Sequence, residues 1–197
     1  MKRMEIAAFA FLFVGAGLVP AAAATKWNPV SDPHAISWIA TDGSGAAIKG
    51  ACSSFTADIS FDPGDLADAS VRVEIDTASC KTGEDQKDSY LPQKPWFDVS
   101  AYPKAVFTAT KFTHEKGDDY VANGDLTLKG VSLPVTLPFT LELKGDTAHV
   151  TGQAVINRLN FGIGSGEMAT SQVAGPNVTV NIDLRAARAN GAEGAMQ

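Results

Sequence analysis

The sequence predicts an all-β domain, an antiparallel barrel of about eight strands with one short helix. Apolar and polar residues alternate through successive segments of the second half of the chain, and Gly, Asn, Asp or Pro stands at each break. In residues 133–144 the apolar members of the alternation include Leu137, Phe139, Leu141 and Leu143. A period of two places one row of side chains on a buried face and the other in water. A closed barrel of this size either fills with side chains or encloses a ligand.

The first residues predict export. Lys2 and Arg3 form a positive start, and residues 6–19 form an apolar run that is too short for a comfortable membrane span. A proline and four alanines follow at 20–24, which is typical of a secretory signal peptide with its cleavage site. We therefore interpret residues 1–24 as a cleaved signal, with an uncleaved anchor as the alternative. In a bacterial host this places the mature protein in the periplasm.

The first strands are predicted from residues 36–40 and from two arms, 49–62 and 70–80, that flank a turn at 62–65. The apolar faces of the two arms match when Phe61 pairs with Val71. That register also sets Cys52 opposite Cys80, on the outer face of the hairpin. Because exported proteins form disulfides, we expect a Cys52–Cys80 bond, with two free thiols as the alternative.

Residues 82–91 lack alternation and are rich in charge, so they are predicted to form a loop with a short helix. Trp96 and Phe97 follow, and two adjacent aromatic residues cannot both face inward on a flat strand; one is expected to cap an end of the barrel. Further strands are predicted at 105–114, 120–128, 133–144, 147–156 and, after a glycine-rich loop, at 178–184. The barrel domain is expected to span 25–188, and 189–197 to be a disordered tail.

The apolar faces of the strands supply candidate walls for an internal pocket. Small residues on two of these faces, such as Ala122, Gly124, Gly152 and Ala154, leave room inside, although glycine also marks bends and close packing. For each candidate the alternative is that it fills a solid core. The predicted pocket walls are Phe55, Ile59, Phe61, Val73, Ile75, Leu126, Leu128, Leu137, Phe139 and Leu141.

Composition and motifs exclude several function classes. A net charge of -6 without basic runs argues against nucleic acids and anionic lipid surfaces as partners. The three histidines have no metal-ligand spacing, and no nucleophile, phosphate or dinucleotide motif occurs. The carboxylates of Glu84, Asp85 and Asp88 are explained by a solvated loop. The sequence therefore predicts a protein that is not an enzyme, with no metal.

Several short motifs follow one another in a fixed order that covers nearly all of the chain after residue 24. They are found at residues 32–38, 61–63, 75–79, 82–91, 96–99, 102–107, 124–131, 134–135 and 156–162. This ordered set resembles the YceI-like family of exported lipid-binding proteins. The pair Trp96 and Phe97, the segment 138–139 and the loop at 164–167 most resemble the branch of this family that is associated with cytochrome b561.

This resemblance implies an extended lipocalin-like antiparallel barrel whose apolar tunnel holds a polyisoprenoid, either a polyprenyl phosphate or a quinone, with no other cofactor. It also implies a capacity to form homodimers. Two positions depart from the family pattern. Asp42 stands where many relatives have a second histidine, and Cys52 replaces an aromatic residue, so the preference for a head group does not transfer.

Arg158, Asp88 and Trp96 are the predicted residues of the pocket mouth. Arg158 follows an apolar strand, and its guanidinium is able to fork onto a phosphate or a carbonyl. The alternative for Arg158 is an ion pair with Asp88 or another carboxylate.

Two main functions follow from the sequence. The first is a periplasmic carrier that binds an isoprenoid lipid without covalent chemistry. The second is an interaction module, a solid barrel that partners a membrane b561-type cytochrome through an exposed patch near Trp96 and Phe97. A third, an enzyme acting on an exported lipid, requires a polar cluster at the mouth that the sequence does not reveal.

Overall fold

The computed structural model describes residues 24–166 and 173–189. The signal peptide expected over 1–24, apart from its last residue, lies outside this range, as does most of the expected tail. One α-helix, α1, spans Asp85–Tyr90, and 3-10 helices span Thr77–Ser79 and Arg158–Phe161. The strands are β1 Lys26–Pro29, β2 Ile36–Thr41, β3 Ala47–Cys52, β4 Phe55–Asp62, β5 Asp65–Asp76, β6 Cys80–Lys81, β7 Lys104–Lys116, β8 Asp119–Leu128, β9 Val131–Lys144, β10 Thr147–Asn157 and β11 Asn177–Arg188.

These strands close into an eight-stranded antiparallel barrel, as predicted, because three positions in the ring are each occupied by two short strands. β11 pairs with β1 near Arg188 and with β2 near Val180, so β1 and β2 follow one another along a single position. β1 pairs with β4 and β2 with β3, which makes β3 and β4 the next composite strand. β5 and β6 form the third. The remaining strands run in sequence order from β7 to β11.

The break in each composite strand shifts the alternation of inward and outward side chains by one residue. Inward-facing residues are odd-numbered in β1, β4 and β5, and they are even-numbered in β2, β3 and β6. The odd-numbered set in β1, β4 and β5 includes Trp27, Ile59 and Val73, and the even-numbered set in β2, β3 and β6 includes Trp38, Cys52 and Cys80.

The predicted disulfide between Cys52 and Cys80 is confirmed, but its expected place on the outer face is wrong. The two Cα atoms are 3.9 Å apart, and both residues are buried, at 6% and 4% exposure. The break at residues 53–54 turns Cys52 from the outer row to the inner row. The 3-10 helix Thr77–Ser79 does the same for Cys80.

The predicted register of β4 and β5 is also wrong by one pair of residues. Val71 pairs with Ile59 rather than with Phe61, and a bulge lies between Ser60 and Asp62. The cysteines are nevertheless opposite one another because the 3-10 helix adds two residues to the β5–β6 side of the hairpin.

The two ends of the barrel differ. At one end, here called the turn end, short turns join β4 to β5, β7 to β8 and β9 to β10. At the other end, the loop end, lie α1 and the long connections 82–103 and 158–176. The short helix predicted within 82–91 is confirmed as α1. No helix in the described ranges is long and apolar enough to cross a membrane.

Candidate functional site: a hollow apolar barrel

The inside of the barrel is not filled. Inward-facing side chains such as Phe55, Val73, Leu137 and Ile156 are only half-buried, and none of the large side chains in the described ranges is less than 2% exposed. Protein interiors are normally packed as densely as organic crystals. Because these side chains point away from the surrounding solvent, their uncovered surface borders an internal space.

One part of this space, the turn-end cavity, has a volume of about 180 Å³. Its wall is made of apolar side chains from β1, β2, β4, β5 and β7–β11. Nine of the ten predicted wall residues lie on it, namely Phe55, Ile59, Phe61, Val73, Ile75, Leu126, Leu137, Phe139 and Leu141. Such a wall offers no hydrogen bonds and selects for a hydrocarbon chain.

The second part, the loop-end chamber, has a volume of about 430 Å³. Leu128, the tenth predicted wall residue, lines it together with the Cys52–Cys80 disulfide. Its aromatic walls are Trp38, Tyr90, Trp96 and Phe97, and its polar and charged walls are Thr77, Thr82, Gln86, Lys87 and Arg158.

The turn-end cavity and the loop-end chamber adjoin. Five residues line both, namely Ile36, Ile75, Leu126, Ile156 and Val180. The joined space is apolar at the turn end and acquires polar groups only toward the loop end. In size and character it matches pockets that hold small apolar ligands with one polar end.

Trp96 and Phe97 both face the loop-end chamber, contrary to the expectation that only one aromatic residue turns inward. The expectation assumed a strand, but this segment is a series of turns. The Trp96 N–H donates to the Gln93 carbonyl and the Phe97 N–H to the Leu91 carbonyl. Both rings pack against the core around Phe161, so they do not form the exposed patch that the interaction-module hypothesis requires.

Arg158, one of the predicted mouth residues, lies on the wall of the loop-end chamber and is 3% exposed. Its Nε donates to the Gly175 carbonyl at 3.0 Å and Nη2 to the Ala174 carbonyl at 2.6 Å. Its Nη1 donates to the Ile163 and Gly164 carbonyls at 2.8 and 3.0 Å. Burial lowers the pKa of the guanidinium, which nevertheless keeps its charge at neutral pH. Arg158 thus joins the two ends of the connection between β10 and β11.

Asp88 is the one predicted mouth residue that does not line the chamber. Its carboxylate accepts hydrogen bonds from the Thr82 N–H at 2.6 Å, the Thr82 hydroxyl at 2.7 Å and the Gly83 N–H at 3.2 Å. Burial opposes its ionisation, but these hydrogen bonds outweigh burial and lower its pKa. Asp88 therefore fixes the segment that precedes α1, and among the described residues its partners do not include Arg158.

Asp42, which departs from the family pattern, caps the turn between β2 and β3. It accepts hydrogen bonds from the Ser44 hydroxyl at 2.6 Å and from the Ser44 and Ala46 N–H groups at 2.8 and 2.9 Å. The Ser44 hydroxyl, followed by the two N–H groups, lowers the pKa of the Asp42 carboxyl. Asp42 does not line either part of the internal space.

Sequence reasoning identified room inside the barrel at four small residues, and two of them provide it. Ala122 and Ala154 line the turn-end cavity. A methyl group at Gly124 would overlap the Thr108 carbonyl, and one at Gly152 would lie 2.9 Å from the Pro138 carbonyl oxygen. These two glycines therefore allow close packing of neighbouring strands.

Several wall residues of the turn-end cavity were not predicted from the sequence. The same alternation that identified Leu137 and Leu141 would have found most of them, since they continue the inward rows of strands already recognised. They include Trp27, Ile36, Val71, Phe107, Phe112, Val135, Ala148, Val150, Val180, Ile182, Leu184 and Ala186.

Comparison with known proteins gives one consistent family. The profile of the YceI-like domain matches residues 30–186. A UPF0312 protein of Pseudomonas putida is 30% identical over 184 residues, which is 87% of this chain and 94% of that protein. The YceI protein of Escherichia coli is 37% identical over 99 residues, which is 50% of this chain and 51% of that protein. The match spans about half the length of several such relatives, for example 48% of a Vibrio campbellii UPF0312 protein.

Solved structures show the same fold. BcnA of Burkholderia cenocepacia is 30% identical and has a TM-score of 0.73 over 76% of this chain and 94% of its own. A polyisoprenoid binding domain from Saccharophagus degradans, implicated in plant cell wall breakdown, is 15% identical. Its TM-score is 0.67 over 84% of this chain and 99% of its own. The profile match over residues 30–186 shows that the chain belongs to the YceI-like family.

Proposed function

We propose that this YceI-like protein is a carrier that holds one isoprenoid lipid, without covalent chemistry, along the axis of its barrel. The observation behind the proposal is the joined internal space, whose apolar wall residues keep surface uncovered. Each buried CH₂ group of a hydrocarbon contributes about 0.8 kcal/mol to binding, so a long tail placed against this wall would bind tightly. The fold shared with a polyisoprenoid binding domain agrees with this proposal.

The loop-end chamber is the proposed seat of the head group, and its chemistry favours an uncharged ring over a phosphate. Arg158 already donates to four main-chain carbonyls, and Lys87 is 2.6 Å from the Glu84 carboxylate. The indole Nε1 of Trp38 is buried without a hydrogen-bond acceptor among the described residues. A quinone carbonyl is the kind of acceptor that this donor lacks. We therefore propose an isoprenoid quinone, with a polyprenyl phosphate as the second candidate.

We propose binding rather than catalysis because, among the described residues, His, Asp and Glu side chains do not line the internal space. His149 bonds Asp183 at 2.7 Å, and His114 bonds the Gly117 carbonyl at 2.8 Å, both on exposed positions. In the part of the chain that the structure describes, no group of three or more His, Cys, Asp or Glu side chains is placed so that it could hold a metal ion.

The hollow interior favours a carrier over the alternative of a solid interaction module for a b561-type cytochrome. That alternative expects a filled barrel and an exposed patch at Trp96 and Phe97, whereas both rings line the chamber. We propose the periplasm as the location, from the signal peptide expected in the sequence.

Native mass spectrometry of the purified protein tests the proposal. We expect an added mass that matches an isoprenoid lipid, which organic extraction then identifies. Ala154→Phe fills the cavity wall and should abolish uptake of an added isoprenoid quinone. Val155→Phe is the matched control, since the adjacent residue points outward with 64% exposure. A folded wild-type protein that neither retains nor takes up isoprenoids would overturn the proposal.

A further inference from the structure

Aromatic rings from four strands gather at the turn end of the internal space. Phe61 of β4 lies at their centre, with ring centroids 5.3 Å from Phe112, 5.5 Å from Tyr120 and 6.0 Å from Phe139. These three contacts are edge-to-face, the arrangement that the charge distribution of aromatic rings favours. Phe139 also stacks on Tyr120 at 5.6 Å.

Three of the four rings are in contact with the cavity. Phe61, Phe112 and Phe139 line the turn-end cavity, whereas Tyr120 is not part of its wall and is buried against them. We call Phe61, Phe112 and Phe139 the aromatic floor. Phe112 and Phe139 remain half-buried, so the floor presents ring surface to the cavity.

Trp27 of β1, which also lines the turn-end cavity, supports this floor. The Trp27 indole N–H donates to the Phe61 carbonyl at 2.9 Å, and Trp27 is 6% exposed. The Arg188 guanidinium lies over the Trp27 ring, 5.1 Å from its centroid. A cation over an indole face is an attractive arrangement. The hydrogen bond from Trp27 therefore holds the Phe61 main chain in place, and a bound chain would end against the floor.

We propose that the aromatic floor sets the longest isoprenoid tail that the barrel buries completely. The inference rests on the proposed function and adds to it the residues that determine tail length. Each isoprene unit added to a tail is buried until the tail reaches the floor. In a longer tail, the additional units remain in water at the loop end.

The test is competition between isoprenoid quinones that share one ring and differ only in the number of isoprene units. Native mass spectrometry of wild-type protein with an equimolar mixture should show an optimum length. Phe112→Ala should shift the optimum to longer tails, with the ratio of long to short tails rising by up to about a thousandfold for each additional five-carbon unit that is fully buried. Phe112→Trp, which extends the floor into the cavity, should shift it to shorter tails.

Phe107→Ala is the matched control, because Phe107 lies on the same strand and lines the same cavity away from the floor. We expect it to weaken binding of all tails alike and to leave the optimum unchanged. If Phe112→Ala does not fold, Phe112→Leu gives the same comparison with less loss of volume. An optimum unchanged in both the smaller and larger variants, or shifted equally by Phe107→Ala, would overturn the inference. Absence of binding by the wild type would instead reject the proposed function.

Discussion

The guanidinium of Arg158 lies over the indole ring of Trp96, 5.7 Å from the ring centroid. The same guanidinium donates to carbonyls at residues 163–164 and 174–175, on both sides of the connection between β10 and β11. Arg158 therefore links that connection to the aromatic wall of the loop-end chamber. The sequence predicted a contact with a ligand, or an ion pair with Asp88 or another carboxylate; the four carbonyl contacts give Arg158 a role in the structure of the chamber.

Replacing Arg158 should destabilise the protein even when the charge is retained. Arg158→Lys keeps the charge but cannot reach four carbonyls, so unsatisfied buried carbonyls remain. We expect the free energy of unfolding to fall by about 3 kcal/mol in urea titrations. Arg185→Lys, on an exposed position of β11, is the control and should change stability by less than about 0.5 kcal/mol. Equal stability of the two variants would contradict the structural role of Arg158.

The Cys52–Cys80 disulfide should contribute substantially to stability because it closes a loop with a sequence separation of 28 residues. The chain-entropy relation gives roughly 3 to 4 kcal/mol for a loop of this size. We expect the double variant Cys52→Ala, Cys80→Ala to unfold at a correspondingly lower urea concentration. A reducing agent should lower the unfolding temperature of the wild type and leave that of the variant unchanged. A wild type insensitive to full reduction would be inconsistent with this contribution.

The ionised Asp88 carboxylate should stabilise the protein only above acidic pH. Its pKa in the folded protein is lowered, below the value of about 3.9 for an unfolded aspartate. Its contribution is therefore complete above that value and is lost as the pH falls through the folded-state pKa. We expect Asp88→Asn to reduce stability at pH 7, with a deficit that shrinks below about pH 4.

Thermal unfolding from neutral to acidic pH measures this deficit. Asp85→Asn, an exposed position in the first turn of the same helix, is the control. A deficit for Asp88→Asn that stays constant across the acidic range would show that its charge is not responsible.

Gly50 should not accept a side chain. It pairs with Trp38 across β2 and β3, and a methyl group there would overlap the Trp38 ring and lie 2.8 Å from the Lys81 carbonyl oxygen. We expect Gly50→Ala to cost about 1–3 kcal/mol of stability by overpacking and to weaken quinone binding by displacing Trp38. Gly64→Ala, in the exposed turn after β4, is the control and should leave both properties nearly unchanged. Urea titration and native mass spectrometry measure the two effects.

Much of the barrel was predictable because a period of two is a strong signal over long strands. β7 to β11 were identified with ends within a few residues, and all ten predicted wall residues border the internal space. The shift of alternation at residues 53–54 was not predictable, because Ser53 and Ser54 have no composition that distinguishes a strand break from a continuous strand. The same is true of the 3-10 helix Thr77–Ser79. As a result the disulfide was paired correctly and placed on the wrong face.

The site was predicted less completely than the fold. The role of Arg158 depends on carbonyls from residues 163–175, and the sequence cannot show which carbonyls a loop will turn inward. Similarly, Trp96 and Phe97 share the chamber because turns, rather than a strand, present them. The contacts of Arg158 and the orientation of the Trp96 and Phe97 rings both depend on how irregular segments fold against the barrel. The local pattern of apolar and polar residues does not predict that folding.

The alignment of three strand breaks at the same height has a consequence for how relatives of this chain can diverge. The alternation of inward and outward side chains starts anew at the breaks in β1–β2, β3–β4 and β5–β6. An inserted or deleted residue at a break therefore need not turn the inward-facing side chains of the next strand outward. Length changes within β8 or β10 would instead invert every following inward side chain. Natural variation in length among homologues should therefore concentrate at residues 30–35, 53–54 and 77–79. The loop-end half and the turn-end half of these three composite strands could then change in length independently of one another.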